Sequence, residues 1–225
     1  MKRGAKFGVI VAVAIMMALP VLIPAKAVES GENMVPIKVS ISNPVGTSIR
    51  EVGIAQKDAI RIVNQIQSSE DAFKVLINPD SNESQKTWAM QVVDKIITQL
   101  KELGILPESF VFSIPKFLNP NIAFLVPVIS VGSGFSYIPF YPGEAFIGFM
   151  FRPIFLQYFL FGYTASINFN LIPPRLEYWD LVGTQTAMIL GFTGIYIDFG
   201  KIGYGIPNMQ FMLGESLFVT GVDWL

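Results

Sequence analysis

The segment from Phe155 to Leu171 constrains the fold of this chain more than any other, because apolar residues recur at every second position. From Phe159 onward these residues are Phe159, Phe161, Tyr163, Ala165, Ile167, Phe169 and Leu171. Side chains alternate between the two faces of a β-strand, so the spacing predicts one long strand. The preceding residues are almost free of charge, and we therefore expect the first half of this strand to be buried on both faces.

Charged residues are scarce around this strand. Between Asn121 and Pro174 the only ones are Glu144 and Arg152, which predicts either a buried ion pair or charges placed at strand ends. Over the whole chain 52% of residues are hydrophobic and 15% are charged, whereas about 25% is the usual charged fraction of a globular protein. Contact with a membrane is therefore a candidate property.

Two uncharged stretches, residues 121–143 and 153–174, exceed the roughly 20 residues that a membrane-spanning helix needs. The first contains three prolines, each of which costs about 3 kcal/mol inside a helix, and the second alternates like a strand. We predict a glycine- and aromatic-rich antiparallel sheet or barrel-like region over residues 119–225, with a hairpin turn at Gly214-Glu215. Transmembrane helices in this half are the alternative.

The N-terminus resembles an export signal. Three basic residues within the first six precede an uncharged run, which closes on the small residues of Ala25-Lys26-Ala27. We predict a signal peptide at residues 1–27, cleaved after Ala27, and an extracytoplasmic location, either secreted or in the cell envelope; an uncleaved anchor is the alternative. Cleavage would remove four of the 16 basic and none of the 17 acidic residues, leaving a net charge of −5.

Residues 28–118 predict a strand followed by two amphipathic helices, which makes the whole chain an α+β protein. Val35 to Ser42 alternates like a strand. A capping box at Ser48-x-x-Glu51 and helical spacing after it predict a helix over residues 49–68. A second helix is expected from near Ser84 to Gly104, with Trp88 on its buried stripe.

The residue types limit what chemistry is available. The chain has no histidine and no cysteine, which excludes Ser-His-Asp and Cys-His catalysis and zinc sites built on those residues. Glu177, Asp180 and Asp198 remain the candidates for a carboxylate-dependent hydrolase, which would need two carboxyl groups about 5 to 10 Å apart. No cofactor or metal site is predicted. Since no cluster of basic residues occurs, no nucleic-acid partner is expected.

Asn82-Glu83-Ser84 matches the acceptor sequence for N-linked glycosylation and predicts an exposed loop at that point. Taken together, the patterns predict an exported, noncatalytic structural or interaction protein of the cell envelope that binds an apolar ligand or lipid. A membrane or lipid surface and self-association are the expected partners. An integral membrane protein with a multi-span C-terminal half and a carboxylate-dependent hydrolase are the alternatives.

Overall fold

The computed structural model describes residues 33–43, 46–113, 125–140, 153–171, 174–202 and 208–224, all within one compact unit, Glu32–Leu225. These residues form an α+β fold in which eight antiparallel strands make one sheet in the order β2-β1-β6-β7-β3-β4-β5-β8. The elements in chain order are β1 (Met34–Asn43), β2 (Gly46–Ala55), α1 (Gln56–Ser68), α2 (Glu70–Ile77), α3 (Glu83–Glu102), β3 (Val126–Phe140), β4 (Ile154–Leu171), β5 (Pro174–Leu190), β6 (Thr193–Asp198), β7 (Met209–Ser216) and β8 (Phe218–Asp223).

The first strand is confirmed as β1, but the helix predicted from residue 49 is wrong in its first part. Ser48 and Glu51 lie in β2, which pairs with β1 along its whole length from Asn43↔Gly46 to Met34↔Ala55. Pairing with a neighbouring strand satisfies the backbone groups that the expected capping box would have served, so the helix begins only at Gln56. Its buried residues, Ala59, Ile62, Val63 and Ile66, follow the predicted spacing.

The second predicted helix is confirmed as α3, with one correction. It begins with a capping box between Asn82 and Gln85, and Gly104 just beyond its end has a φ of 68°, in the left-handed region that favours glycine. Trp88, however, is 47% exposed. The buried stripe lies one residue further along the helix, where the small Ala89 permits close approach, and it continues through Val93, Ile96, Ile97 and Leu100.

The C-terminal half forms strands, so the alternative of transmembrane helices is wrong for the described part of it. Phe155 to Leu171 lies within the single strand β4, as predicted. Within the described ranges no helix combines the length and the hydropathy needed to cross a bilayer. The sheet is not closed, because its end strands β2 and β8 are not paired with each other. Strands from both sides of the predicted boundary at 118/119 belong to this one sheet, in which β1 pairs with β6.

The sheet curls strongly, and the short connections show why. β5 and β6 are separated in the sheet by three strands, a distance of about 19 Å if the sheet were flat. Only two residues connect Leu190 to Thr193, and three Cα steps span at most about 11 Å. The ends of β5 and β6 must therefore face each other across a concave inner face. The rings of Phe155 on β4 and Tyr196 on β6 do so, with centroids 5.1 Å apart.

The same curl explains why the predicted hairpin at Gly214-Glu215 is wrong. Both residues lie inside β7, which pairs with β6 and β3. The chain leaves β7 through Leu217 and enters β8, which pairs with β5 and is separated from β7 by three strands in the strand order. A single linking residue is enough because the curl brings these parts of the sheet together.

The curled sheet has a row of glycines across β3, β4 and β5, and we call this row the bend. Gly132, Gly162 and Gly183 are paired across β3, β4 and β5, and the ring of Phe159 lies over the first two. The register also shifts here, with bulges after Ser133 and Phe159. The shift places Phe159 on the inner face and Phe161 on the outer one, whereas regular alternation would put both on the same face.

Two apolar cores result. The larger lies between the helices and the outer face of the sheet, and it includes Phe73 of α2, which stacks on Phe211 of β7 with ring centroids 5.9 Å apart. The smaller fills the concave inner face and consists of Val128, Phe155, Ile189, Phe192, Tyr196, Met212 and Val219.

Candidate interaction surface

The outer face of the sheet is covered by helices over only part of its width. Tyr163 and Phe161 show the limit, since both lie on the outer face of β4 on either side of Gly162. Tyr163 is 1% exposed under α2, whereas Phe161 is 75% exposed. The edge of the helical cover on β4 therefore falls at the bend.

Beyond that limit the outer face of β4, β5 and β8 and the end of β3 is mainly apolar and carries no charged side chain, with Thr186 and Thr220 as polar residues among its apolar ones. We call it the bare face, and it consists of Phe135, Leu156, Tyr158, Phe161, Val182, Met188, Leu190, Phe218, Val222 and Trp224. Phe135, Phe161, Val182, Phe218, Val222 and Trp224 are exposed, and the other four are half-buried. Neighbouring strands contribute residues side by side, such as Phe135 opposite Tyr158 and Phe218 opposite Leu190. Contiguous exposed apolar area of this kind marks an interaction site more often than scattered apolar residues do.

The bare face contradicts the expectation that the first half of the Phe155 to Leu171 strand is buried on both faces. Phe155 and Phe159 are buried on the inner face. On the outer face Leu156 and Tyr158 are only half-buried and Phe161 is exposed. The absence of charge predicted burial, but the described helices cover other parts of the sheet.

A polar cluster lies where the helical cover ends. The hydroxyl groups of Tyr163 and Tyr178 are 2.9 Å apart, and the Tyr178 hydroxyl donates to a carboxylate oxygen of Asp180 at 2.9 Å. Lys74 of α2 lies over the Tyr163 ring, 5.3 Å from its centroid, and forms an ion pair with Glu70. The Lys74 contact joins α2 to β4, and the contact between the two hydroxyl groups joins β4 to β5.

The electrostatics of this cluster favour the neutral forms of both phenols. Burial raises the pKa of Tyr163, and the bond to Tyr178 raises it further. Burial is also the main reason that the pKa of Tyr178 rises to about 12, and the nearby Asp180 contributes in the same direction. Neutral hydroxyl groups at all ordinary pH values suit a structural role in which they donate and accept hydrogen bonds.

The edge of the sheet beside the bare face is unpaired in the described part of the chain. β8 pairs with β5 on one side and with no described strand on the other. The Trp224 amide donates to the Thr184 carbonyl oxygen at 2.8 Å. Because bonded and non-bonded pairs alternate in an antiparallel ladder, the backbone groups of Val219, Gly221 and Asp223 point outward, away from β5.

The structure does not bring the three predicted catalytic carboxylates together. Glu177 and Asp180 lie on opposite faces of β5, and Asp198 lies on β6, with three strands between β5 and β6 in the sheet. Asp180 belongs to the tyrosine cluster. Among the described residues no group of three acidic side chains is close enough to hold a metal ion. A hydrolytic pair therefore has no geometric support from these residues.

Asp198 has a structural environment of its own. Its carboxylate accepts hydrogen bonds from the Gly200 amide at 2.9 Å and from the Asn208 side chain at 3.3 Å. Burial raises its pKa, and these two bonds oppose the rise. Its role is to hold the residues that follow β6.

The remaining predicted site residues are accounted for as follows. Asn82 is exposed and caps α3 by accepting the Gln85 amide at 2.9 Å, and its glycosylation stays a prediction. Glu144 and Arg152 lie outside the described residues, as does the predicted signal peptide with its cleavage point at Ala27.

Sequence reasoning missed a polar group inside the inner core. Ser130 donates to the Gln157 side-chain oxygen at 3.0 Å and lies 2.8 Å from the Thr164 hydroxyl. The Gln157 amide nitrogen and both polar atoms of the Gln185 side chain have no partner in the described part of the chain, and both residues are 1% exposed. Ordered water ordinarily satisfies such groups. The sequence signal that could have indicated this buried polar group is the presence of single polar residues, such as Gln157, within an apolar strand.

Comparisons with protein-family models, with curated proteins and with solved structures give no match for this chain.

Proposed function

We propose that this chain is an exported, noncatalytic protein of the cell envelope that attaches to lipid membranes through its bare face. The observation that carries the proposal is the uncharged outer face of β4, β5 and β8, on which Phe161 is 75% exposed. When an apolar surface of neighbouring strands meets a bilayer, its removal from water stabilises the bound state by about 25 cal/mol for each Å² of apolar surface buried.

The side chains of the bare face favour a membrane interface. Tyr158 and Trp224 combine an apolar ring with a polar atom, the residue type enriched where hydrocarbon meets headgroups. Lys and Arg are absent from the bare face, and the chain after Ala27 has a net charge of −5. Attraction to anionic lipids therefore cannot supply the binding energy, and the proposed target is the apolar part of a neutral bilayer surface.

A vesicle flotation experiment tests this attachment. The chain processed after Ala27, with its N-terminus verified by mass spectrometry, is mixed with phosphatidylcholine vesicles and separated on a density gradient. We expect flotation that is insensitive to salt and not increased by phosphatidylglycerol. Burying one phenylalanine gives about 1.5–3 kcal/mol, so Phe161→Ser should lower the partition coefficient roughly ten-fold or more.

Two tryptophans supply a matched control, because Trp224 on the bare face and Trp88 on α3 are both 47% exposed. Trp224→Ser should weaken flotation, whereas Trp88→Ser should leave it unchanged. Failure of the unaltered chain to float, or equal losses from both substitutions, would refute attachment through the bare face. Binding that requires anionic lipid would refute the proposed mechanism.

A further inference from the structure

We infer that the bare face selects neutral bilayers whose headgroups leave hydrocarbon exposed, as in unsaturated or strongly curved membranes. The selecting residues form a ridge of three exposed side chains, Phe135, Phe161 and Val182. This preference rests on the membrane attachment proposed above, and it adds the kind of lipid surface and the residues that recognise it.

The ridge follows the bend across three neighbouring strands. Phe161 of β4 and Val182 of β5 each immediately precede a glycine of the bend. On β3, Ser133 is the ladder partner of Phe161, and Phe135 lies two residues beyond it. Because the curl makes the inner face concave, outer side chains at the bend project from the convex side of the sheet. The ridge is therefore the part of the bare face that meets an approaching surface first.

The convex shape favours a fluid surface over a folded partner. A stable interface between folded proteins buries about 1,200–2,000 Å² of surface in close packing. Two copies that met ridge to ridge would touch only along a line, and any other folded partner would need a groove shaped to the ridge. Lipids rearrange around an inserted side chain, so a bilayer needs no such preformed shape.

The absence of charge on the bare face makes the packing of the headgroups decisive. Lys or Arg side chains would bind anionic headgroups whatever the packing of the lipid. Here apolar burial alone stabilises the bound state, and a phenylalanine ring reaches hydrocarbon only where headgroups are separated. In a tightly packed bilayer the ring must push headgroups apart, which opposes binding. Unsaturated chains and strong outward curvature both separate the headgroups beforehand.

Flotation on two lipids with the same headgroup tests this preference. Large vesicles of dioleoylphosphatidylcholine and of dimyristoylphosphatidylcholine are compared at one size and at a temperature where both are fluid. We expect the processed chain to partition into the dioleoyl vesicles roughly ten-fold more strongly, because one phenylalanine buried in hydrocarbon contributes at least about that factor. Small sonicated dimyristoyl vesicles should recover most of the binding, since strong curvature separates the same headgroups.

Two phenylalanines of the bare face supply a matched pair of variants. Phe135 on the ridge is 56% exposed, and Phe218 on β8, away from the bend, is 48% exposed. Phe135→Ser should bring the ratio of the two partition coefficients toward one, because the ridge is the part that reaches below the headgroups. Phe218→Ser should lower both coefficients by a similar factor and leave the ratio unchanged. Circular dichroism confirms that both variants remain folded.

Equal partition of the unaltered chain into large vesicles of the two lipids would overturn the preference and leave the attachment standing. Absence of flotation on all three vesicle preparations would instead refute the attachment itself. The same fall in the ratio for Phe135→Ser and Phe218→Ser would overturn the assignment of membrane selection to the ridge.

Discussion

Tyr163 and Phe161 occupy the same face of the same strand, and they differ in what lies above them. Tyr163 is held under α2 by a hydrogen bond to Tyr178 and by the Lys74 ammonium group over its ring. Phe161 is 75% exposed. Both are aromatic residues in one alternating run, so the pattern that predicts the strand carries no information about which of them a helix covers.

The difference between the two regions teaches that apolar residues on this sheet serve two purposes. Under the helices they form the larger core, which stabilises the fold. On the bare face the same residue types contribute little to folding and are available for contact with a partner. Stability measurements separate these roles, and the following predictions are ordered from the largest expected effect to the smallest.

The strongest test compares a covered phenylalanine with a bare one. Phe73→Ala should destabilise the fold by about 3–5 kcal/mol, because it leaves a cavity against Phe211 in the covered core. Phe161→Ala should change the free energy of unfolding by no more than about 0.5 kcal/mol. Urea denaturation followed by circular dichroism measures both. Similar losses from the two substitutions would remove the distinction between the regions.

The bend at the margin of the bare face gives the second test. A Cβ at Gly132 would lie 2.8 Å from the Gly162 Cα atom and close to the Phe159 ring, so Gly132→Ala should destabilise the fold by about 1–3 kcal/mol. Gly53→Ala on β2 is the control, since its Cβ would meet only the Met34 side chain at 3.6 Å. An equal effect at both glycines would show that the bend does not need the glycine row.

The polar cluster at the margin gives the smallest effect. Tyr178→Phe removes the hydrogen bonds to Tyr163 and Asp180 and should cost about 1 kcal/mol at pH 8. The variant should also be less sensitive to alkali. The folded pKa of Tyr178 is about 12, above the usual value near 10, so the unaltered chain loses stability as pH rises between these values.

Urea denaturation at several pH values between 9 and 12 checks the alkaline behaviour. Tyr158→Phe on the bare face is the comparison, because it removes a phenol that is not part of the cluster. If Tyr178→Phe and Tyr158→Phe gave the same pH dependence, the Tyr178 phenol would not be a source of the alkaline sensitivity.

The local elements of the fold were largely predictable. β1, the end of α3 at Gly104 and the long strand β4 follow from alternation, helical spacing and a glycine suited to a positive φ. The helix predicted over residues 49–68 was wrong in its first part, because a capping sequence within reach of a partner strand can pair with that strand instead. The hairpin at Gly214-Glu215 failed for a related reason, since the partner of β8 is chosen by the curl of the sheet and not by the nearest turn.

The sequence predicted the residue types of the candidate site but not where those residues lie in the fold. Scarce charge and abundant aromatic residues predicted contact with a membrane, but they also predicted burial on both faces of the first half of β4, and the carboxylates at Glu177, Asp180 and Asp198 indicated an alternative. Their distribution over two faces and two distant strands depends on strand order and register. Neither property is encoded within any short segment.

The sequence by itself determined that this chain has strands rich in aromatic residues, amphipathic helices, and no histidine or cysteine chemistry. Those properties are local, because they depend on residue type and on spacing along a few turns or pleats. Only the tertiary structure decided which apolar faces are covered. Burial depends on how far three helices reach across a curled eight-stranded sheet, and that is fixed by contacts between residues far apart in the chain.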